Sequence, residues 1–358
     1  MNTATLIADT AERLFAAQVD KATRERSERG EFDTGLWQQV AELGLPRLLA
    51  TEASGGFGQP WRHAFAVLRG IGFWQVPLPL AETMLAQLLG SLAGFDLPEG
   101  PLTVLQQGRG NTLHMDVSNG RAVLGGEAHG VPWARDARAA VLSLNDGRIA
   151  WLRLAPGGAL RITPQANLAG LPADTLHFDG LPIEALADNP LPLHEPVWTL
   201  GALARSAMLV GALESALAMA VQYAGERVQF GKPIGRNQAL QQQLALMAGD
   251  VAAARMAAQV AADGAPAEPD DSALTTRFDV AVAKVRAGEA ATRGTAIAHQ
   301  VHGAIGFTQA HALHFATRRL WAWRAEFGTD AQWAAELGRA AIAARGAGFW
   351  PALTQRHF

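Results

Sequence analysis

The sequence predicts an α+β fold in three successive parts: an N-terminal α-helical domain, a small antiparallel β domain and a C-terminal α-helical bundle. The prediction depends on the spacing of apolar residues, which is helical up to about residue 100, alternating between about 101 and 190, and helical again afterwards. A chain of 358 residues is long enough to bury a large core across such parts. We therefore set the domain bounds at 1–100, 101–190 and 191–358.

The first domain shows helix boundaries and one glycine-rich segment. Asp33–Thr34 is typical of a helix start, and Gly44 with Pro46 is typical of a stop. The segment Glu52–Gly58 lacks the flanking strand and the spacing of a nucleotide-binding fingerprint. We interpret it as a tight turn between helices.

The middle domain has the alternation and turns of short strands. Leu113–Val117 alternates apolar and polar residues, and Ser118–Arg121 predicts a hairpin turn after it. Asn145–Gly147 predicts a second turn, and Thr175–Phe178 predicts the last short strand. In the third domain, a stripe at Leu240, Leu244, Met247 and Val251 predicts a helix side that faces the core.

Composition excludes several classes of function. The chain has 30 Lys and Arg against 33 Asp and Glu, which argues against a broad nucleic-acid or anionic-membrane footprint. It has no cysteine, so thiolate nucleophiles, disulfides and Cys-zinc sites are absent. We find neither a signal-like start nor a charge-free stretch long enough to span a membrane, and we expect a soluble, cytoplasmic protein.

The most informative segment is Glu226–Gln238, which interrupts an alanine-rich helix pattern with a compact polar turn. Its Arg227 and Arg236 carry planar forks suited to phosphate, and Lys232 between them adds a point charge. A plain helix-loop-helix corner with solvated charges explains the same residues. The segment alone leaves both interpretations open.

A second unusual segment is Gln300–Gln309. Its glycines at 303 and 306 let another group approach the backbone and leave amides free for an anion, although a helix C-cap explains Gly303 nearly as well. The order of the two segments is more specific than either one. Tyr223, the first segment and, about sixty residues later, Gln300 with its two glycines together resemble the acyl-CoA dehydrogenase family. The α-β-α layout agrees with the fold of that family.

The resemblance implies that FAD is held between neighbouring subunits, and hence that the protein is an oligomer. Arg227 can neutralise a pyrophosphate, and Phe230 offers an apolar ring beside the dinucleotide. The second segment would serve the flavin of another subunit. The implied FAD contacts are Arg227, Phe230, Ile234, Asn237, Gln238, Gln300, Gly303, Ala304 and Thr329.

The resemblance also implies a reaction. In the family, a carboxylate removes the proton α to the carbonyl of an acyl-CoA thioester, and the β hydrogen passes to the flavin as hydride; an electron-transfer flavoprotein or a similar acceptor then takes the electrons. The usual position of that glutamate falls on Phe327, and the alternative position falls on Gly201. Glu326 is the nearest acid. Because a one-residue shift turns a helical side chain by about 100°, Glu326 is either the base or points elsewhere.

The resemblance also implies contacts to the substrate and to the flavin ring. Trp198 lies where an aromatic residue commonly lines the acyl pocket, and Arg205 is the nearest substitute for an arginine that is Ala202 here. Val131–Ala134 stands where a family Trp-Ile-Thr lies against the flavin ring.

Other candidate sites are weaker. His311 and His314 have the spacing of metal ligands on a helix face, but no acid lies at ligand spacing and we expect no metal. Trp321, Trp323 and Trp333 lie among arginines, and at this net charge they favour an interface or pocket wall near Glu326 over a nucleic-acid surface.

The sequence thus predicts an FAD-dependent acyl-CoA dehydrogenase with Glu326 as the base. The shortened middle domain and displaced acid also resemble small, divergent members that pair with a second dehydrogenase subunit, some of which act on CoA esters of steroids. The alternative is therefore a non-catalytic or half-site partner subunit, in a heterotetramer rather than a homo-oligomer. An acyl-CoA oxidase or flavin monooxygenase with the same fold is a more distant alternative.

Overall fold

The computed structural model describes residues 3–118, 120–273 and 275–356. Helices form its first and last parts, and strands form its middle part. The helices are α1 (Thr3–Gln18), α2 (Lys21–Glu28), α3 (Thr34–Glu42), α4 (Trp61–Trp74), α5 (Leu80–Leu92), α6 (Pro196–Glu226), α7 (Gln238–Asp263), α8 (Thr276–His302), α9 (Leu313–Ala325) and α10 (Asp330–Gln355).

The middle part contains two four-stranded sheets whose facing sides form a core of their own. One sheet has the order β1-β4-β5-β8 and the other the order β2-β3-β7-β6. The strands are β1 (Leu102–Gln106), β2 (His114–Ser118), β3 (Arg121–Pro132), β4 (Ala139–Ser143), β5 (Arg148–Arg153), β6 (Leu160–Thr163), β7 (Ala173–Pro182) and β8 (Ala185–Asp188).

The β-strand prediction is mainly confirmed, with two corrections. The strand pairs are antiparallel except that β1 runs parallel to β4. Thr175–Phe178 lies inside the longer β7, and β8 follows it, so it is not the last strand. The turn at Asn145–Gly147 joins β4 to β5 as predicted. Asn119, in the predicted hairpin turn, lies outside the described residues.

The predicted helix boundaries in the first part are also confirmed. Asp33 caps α3 by accepting a hydrogen bond from the Leu36 amide at 2.9 Å. After α3 ends, Gly44 takes a left-handed conformation (φ +70°). The segment Glu52–Gly58 is a turn that begins with one turn of 3₁₀ helix. The stripe at 240–251 faces the core, with Met247 and Val251 buried.

Helices of the first and last parts share one hydrophobic core, which includes Phe15, Ile71, Leu209 and Trp333. At the crossing of α4 and α6 the backbones nearly touch. A Cβ atom at Gly211 would overlap the carbonyl of Arg69, so only glycine fits there. This crossing fixes α6, which carries several candidate site residues, against the N-terminal helices.

Among the described residues, two helices are long and apolar enough to cross a membrane by length and composition alone. They are Pro196–Glu226 and Gln238–Asp263. The core helix of a soluble protein passes the same test, and most of the apolar window of the first is buried inside the fold.

Candidate active site

A cleft of about 660 Å³ separates the β sheets from the helical bundle. The β domain contributes the loop after β1 and the end of β3, and the bundle contributes the start of α6 and the turn between α9 and α10. Glu326 and Trp198, which are 128 positions apart, therefore line one cavity. Other lining residues include Val104, Gln106, Arg109, His129, Val131, Pro132, Asn167 and Phe327.

The carboxylate of Glu326 is held from two sides. Arg205 Nε donates to Glu326 Oε2 at 2.6 Å. Asn167 Nδ2 donates to Glu326 Oε1 at 3.0 Å. Both carboxylate oxygens are thus engaged by side chains of the same chain.

The same arginine binds a second carboxylate. Arg205 Nη2 donates to Glu82 Oε1 on α5. Arg205 is 2% exposed and Glu82 is 4% exposed. Burial alone would lower the pKa of Arg205, but Glu82 and Glu326 raise it above its ordinary value. We call Glu82, Arg205 and Glu326 the ion cluster. Arg205, predicted to contact substrate, is instead enclosed between these two carboxylates.

Phe327 and Gly201, where the family resemblance puts a glutamate, contact each other. The phenyl ring of Phe327 lies so close to Gly201 that a Cβ atom there would overlap the ring. The guanidinium carbon of Arg205 lies 5.3 Å from the centroid of the same ring. The ring thus fills the space that a side chain at position 201 would need.

The turn that carries Glu326 and Phe327 is fixed through its carbonyl groups. Lys284 Nζ on α8 donates to the carbonyls of Trp323, Arg324 and Gly328 at 3.1, 2.9 and 2.7 Å. Burial lowers the pKa of Lys284 to about 7. Trp333 and Thr329 hold the same turn. Trp333 Nε1 donates to the carbonyl of Phe327 at 2.9 Å. Thr329, predicted to contact FAD, caps α10 with its hydroxyl.

Trp198 belongs to a layered wall of the cleft. Its indole ring stacks on Trp333 with ring centroids 6.4 Å apart. The guanidinium carbon of Arg109 lies 4.6 Å from the Trp198 ring, and that of Arg277 lies 5.3 Å from the Trp333 ring. Glu195 forms ion pairs with both arginines. The stack ties a loop of the β domain to the bundle and gives the cleft a fixed wall.

The segment at 131–134 faces the cleft only in part. Val131 and Pro132 line it, but Trp133 has a left-handed backbone (φ +55°) and is buried. Its indole packs edge-on against Phe32, with ring centroids 6.1 Å apart, and shares a small core with Ala322. The expectation that the whole segment lies against a flavin is therefore wrong for Trp133.

The segment at 226–238, here called the first corner, projects into solvent. A two-residue antiparallel ribbon holds Phe230 at its tip, where the side chain is 99% exposed. Arg227, Lys232 and Arg236 have no ion pair among the described residues. The corner thus presents an apolar ring and three unpaired cations.

The remaining residues of the first corner lead into α7. Ile234 is half-buried, and the side chain of Asn237 caps α7 by accepting from the Ala239 amide at 3.0 Å. Gln238 is exposed as the first residue of that helix.

Residues 300–304, here called the second corner, end α8 beside a cleft of about 600 Å³. Gln300, Gly303 and Ala304 line this cleft together with Phe307 and Trp321. No atom lies within 4 Å of the Cβ position of Gly303, so the backbone there is open to a neighbour.

The two corners lie side by side. Tyr223, at the end of α6, stacks on His302, at the end of α8, with ring centroids 4.7 Å apart. His302 also contacts His311, with centroids 4.5 Å apart. Burial lowers the pKa of both histidines. The described residues hold no group of three His, Asp or Glu side chains that could bind a metal ion.

Both terminal parts of the chain match models of one family. Residues 2–91 match the acyl-CoA dehydrogenase N-terminal domain, and residues 198–342 match the acyl-CoA dehydrogenase C-terminal domain. The acyl-CoA dehydrogenase IpdE2 of Mycobacterium tuberculosis is 30% identical over 295 residues, which is 82% of each chain. The chain therefore belongs to the acyl-CoA dehydrogenase family of oxidoreductases, whose members are flavoproteins.

Solved structures agree with this assignment. A steroid acyl-CoA dehydrogenase described as Tcur3481-Tcur3483, in a G363A variant, superposes with a TM-score of 0.84 at 25% identity, covering 96% of this chain and 99% of the other. The ChsE4-ChsE5 complex of Mycobacterium tuberculosis superposes with a TM-score of 0.83 at 24% identity, covering 96% and 98%. The predicted fold class is confirmed.

Three residues of the site were not predicted from the sequence. Glu82 was a single acid in the apolar stretch Leu80–Leu92, and that isolation was the available signal. Lys284 is one of only three lysines, and that rarity was the signal available for it. Asn167 lies in a loop of the β domain, and nothing in the sequence indicated its role.

Proposed function

We propose that this chain is the half-site partner subunit of a heteromeric acyl-CoA dehydrogenase. One observation carries the proposal: no free carboxylate stands at the catalytic position. Phe327 covers Gly201, and Glu326 is engaged through both oxygens within the ion cluster. A base must reach the proton that it abstracts. Moving Glu326 to do so would break its ion pair with the buried Arg205, at a cost on the order of 3–5 kcal/mol.

The corners support a role in holding FAD. Arg227 has no ion-pair partner among the described residues and can bind a pyrophosphate oxygen through its fork. Phe230 offers an exposed ring, and the second corner adds an open backbone at Gly303. FAD, when bound, supplies the hydride acceptor. Because these groups face outward, a second subunit completes the site.

The relatives support a heteromer and a substrate class. Two matching structures are described by pairs of proteins, ChsE4-ChsE5 and Tcur3481-Tcur3483, and the second is called a steroid acyl-CoA dehydrogenase. We therefore propose a CoA ester derived from a steroid as the substrate of the assembled enzyme, with an electron-transfer flavoprotein or similar protein as acceptor.

Visible spectroscopy tests the proposal. The chain is purified alone and together with a catalytic acyl-CoA dehydrogenase subunit from the same organism. We expect little flavin absorbance from the chain alone, and stoichiometric flavin that an acyl-CoA bleaches from the pair. Yellow protein from the chain alone, bleached by an acyl-CoA, would overturn the half-site assignment.

A second candidate keeps Glu326 as the base of a catalytic subunit. The observation in its favour is that Glu326 lines the same cleft as Trp198. In that case Glu326→Gln abolishes reduction of bound FAD by substrate while FAD stays bound. Under the half-site proposal, Glu326→Gln leaves turnover by the assembled enzyme unchanged, as does the surface control Glu52→Gln.

A further inference from the structure

A second large cleft lies away from both the ion cluster and the corners. It opens between α3, α5 and the segments that precede β1 and β4, with a volume of about 880 Å³. Its apolar walls are Phe32, the indole of Trp37 and the prolines at 46, 98 and 101. It shares no lining residue with the cleft of Glu326 or with that of the second corner.

Several polar groups that line this cleft have no partner among the described residues. Gln87, on α5, is 6% exposed and its amide makes no hydrogen bond there. Arg47 donates from Nη2 to the carbonyl of Ser54, but its Nε is buried without an acceptor. The side chains of Asp136 and Arg138 form no ion pair or hydrogen bond within the described residues. Gln87 and Arg47 Nε are the buried groups, whereas Asp136 is half-buried and Arg138 is exposed at the rim. Buried polar groups are normally satisfied, so two unsatisfied ones beside unpaired charges in one cleft point to a ligand.

The charges of these groups favour one kind of ligand. Arg47 and Arg138 are cationic donors, and Gln87 adds an amide donor. Burial raises the pKa of Asp136 to about 6, so part of its carboxyl population keeps a proton between pH 6 and 7 and can donate it in a hydrogen bond. Glu99 also lines the cleft, so a monoanion beside the two arginines meets less repulsion from the acids than a phosphate dianion does. The aromatic and proline walls suit a ring.

We propose that this cleft binds a small monocarboxylate that carries an aromatic or alicyclic ring. The carboxylate contacts Arg138 and Arg47, and the ring packs on Trp37 and Phe32. The amide of Gln87 at the inner wall donates to the same carboxylate. The inference is independent of the half-site function, because no corner or ion-cluster residue takes part.

Calorimetric titration of the full-length chain, or of its complex with the partner subunit, tests the proposal. The probes are benzoate, cyclohexanecarboxylate, the neutral analogue benzamide and inorganic phosphate. We expect saturable binding of the two carboxylates and at least about tenfold weaker binding of benzamide, because the charge-assisted hydrogen bonds are lost. Equal affinity for benzamide, preference for phosphate, or no saturable binding of either carboxylate would each overturn the proposal.

Two variants and a matched control locate the site. Arg138→Gln, at an exposed position, and Gln87→Leu, of similar volume, should each weaken benzoate binding, the first by about tenfold. Arg121→Gln, an exposed arginine elsewhere on the β domain, should leave it unchanged. Unaltered affinity in both Arg138→Gln and Gln87→Leu would assign any observed binding to another place. The flavin content of the complex should stay constant throughout, which separates this result from a failure of the half-site proposal.

Discussion

The charges of the ion cluster are paired within the chain, whereas the cations of the first corner are unpaired among the described residues. In the cluster, Arg205 and Glu326 are satisfied by partners from α5, the β domain and α6 of the same chain. At the first corner, Arg227 and Phe230 face solvent, and Arg227 has no ion pair among the described residues. A buried charge must be paired by its own fold, whereas an exposed ring beside unpaired cations is available to another molecule. The position where the family resemblance puts a glutamate is thus closed by the chain itself, and the corners are open.

The largest expected effect comes from breaking the ion cluster. Arg205→Met leaves the buried carboxylate of Glu82 and the partly buried carboxylate of Glu326 without a counter-charge and should lower the free energy of unfolding by about 3–5 kcal/mol. Urea denaturation measures this loss. The triple variant Arg205→Met, Glu82→Gln, Glu326→Gln removes all three charges and should regain most of it. A loss below about 1 kcal/mol for Arg205→Met alone would show that the cluster is not closed.

The contact between Phe327 and Gly201 gives the next effect. Gly201→Ala places a methyl group against the phenyl ring and should cost about 1–3 kcal/mol. Combining it with Phe327→Ala should remove most of that penalty in a double-mutant cycle. Gly225→Ala, on the same helix with nothing near its Cβ position, is the matched control and should be neutral or stabilising. Equal effects at 201 and 225 would contradict the close contact.

At the first corner, Arg227→Ala should weaken FAD binding and leave the free energy of unfolding almost unchanged. We expect FAD affinity of the assembled protein to fall about tenfold, because a charge-assisted contact to the pyrophosphate is lost. Stability should change by less than about 0.5 kcal/mol, since the side chain is exposed. Fluorescence titration of FAD and urea denaturation separate the two effects, with Arg121→Ala as the control. A large loss of stability with unchanged FAD affinity would show that the corner is structural.

The smallest effect concerns Lys284 and pH. Because burial lowers its folded pKa to about 7 from 10.5, the unfolded chain binds a proton above pH 7 that the folded chain does not. Stability of the natural chain should therefore rise with pH, by about 1 kcal/mol from pH 7 to 8 from this group. In Lys284→Met that part of the rise should be missing. Parallel slopes of unfolding free energy against pH in both proteins would contradict the assignment.

Much of the fold was predictable because local rules decide it. Helical and alternating spacing gave the three parts in order, and the Asp33 cap and the turn at 145–147 were identified from residue type alone. The parallel pairing of β1 with β4 was not, since it joins segments more than thirty residues apart and leaves no trace in either.

The candidate site likewise has features that the sequence predicted and contacts that it did not. The sequence determined that two unusual polar corners interrupt long helices and that an acid lies one position away from Phe327. Only the tertiary structure decided what that acid contacts. Asn167 and Arg205 meet Glu326 from two distant parts of the chain, Glu82 joins them through Arg205, and Lys284 fixes the turn of Glu326 from a fourth. Residue type and spacing report periodicity along the chain, whereas the pairing of a buried charge depends on which helices and loops pack together in space.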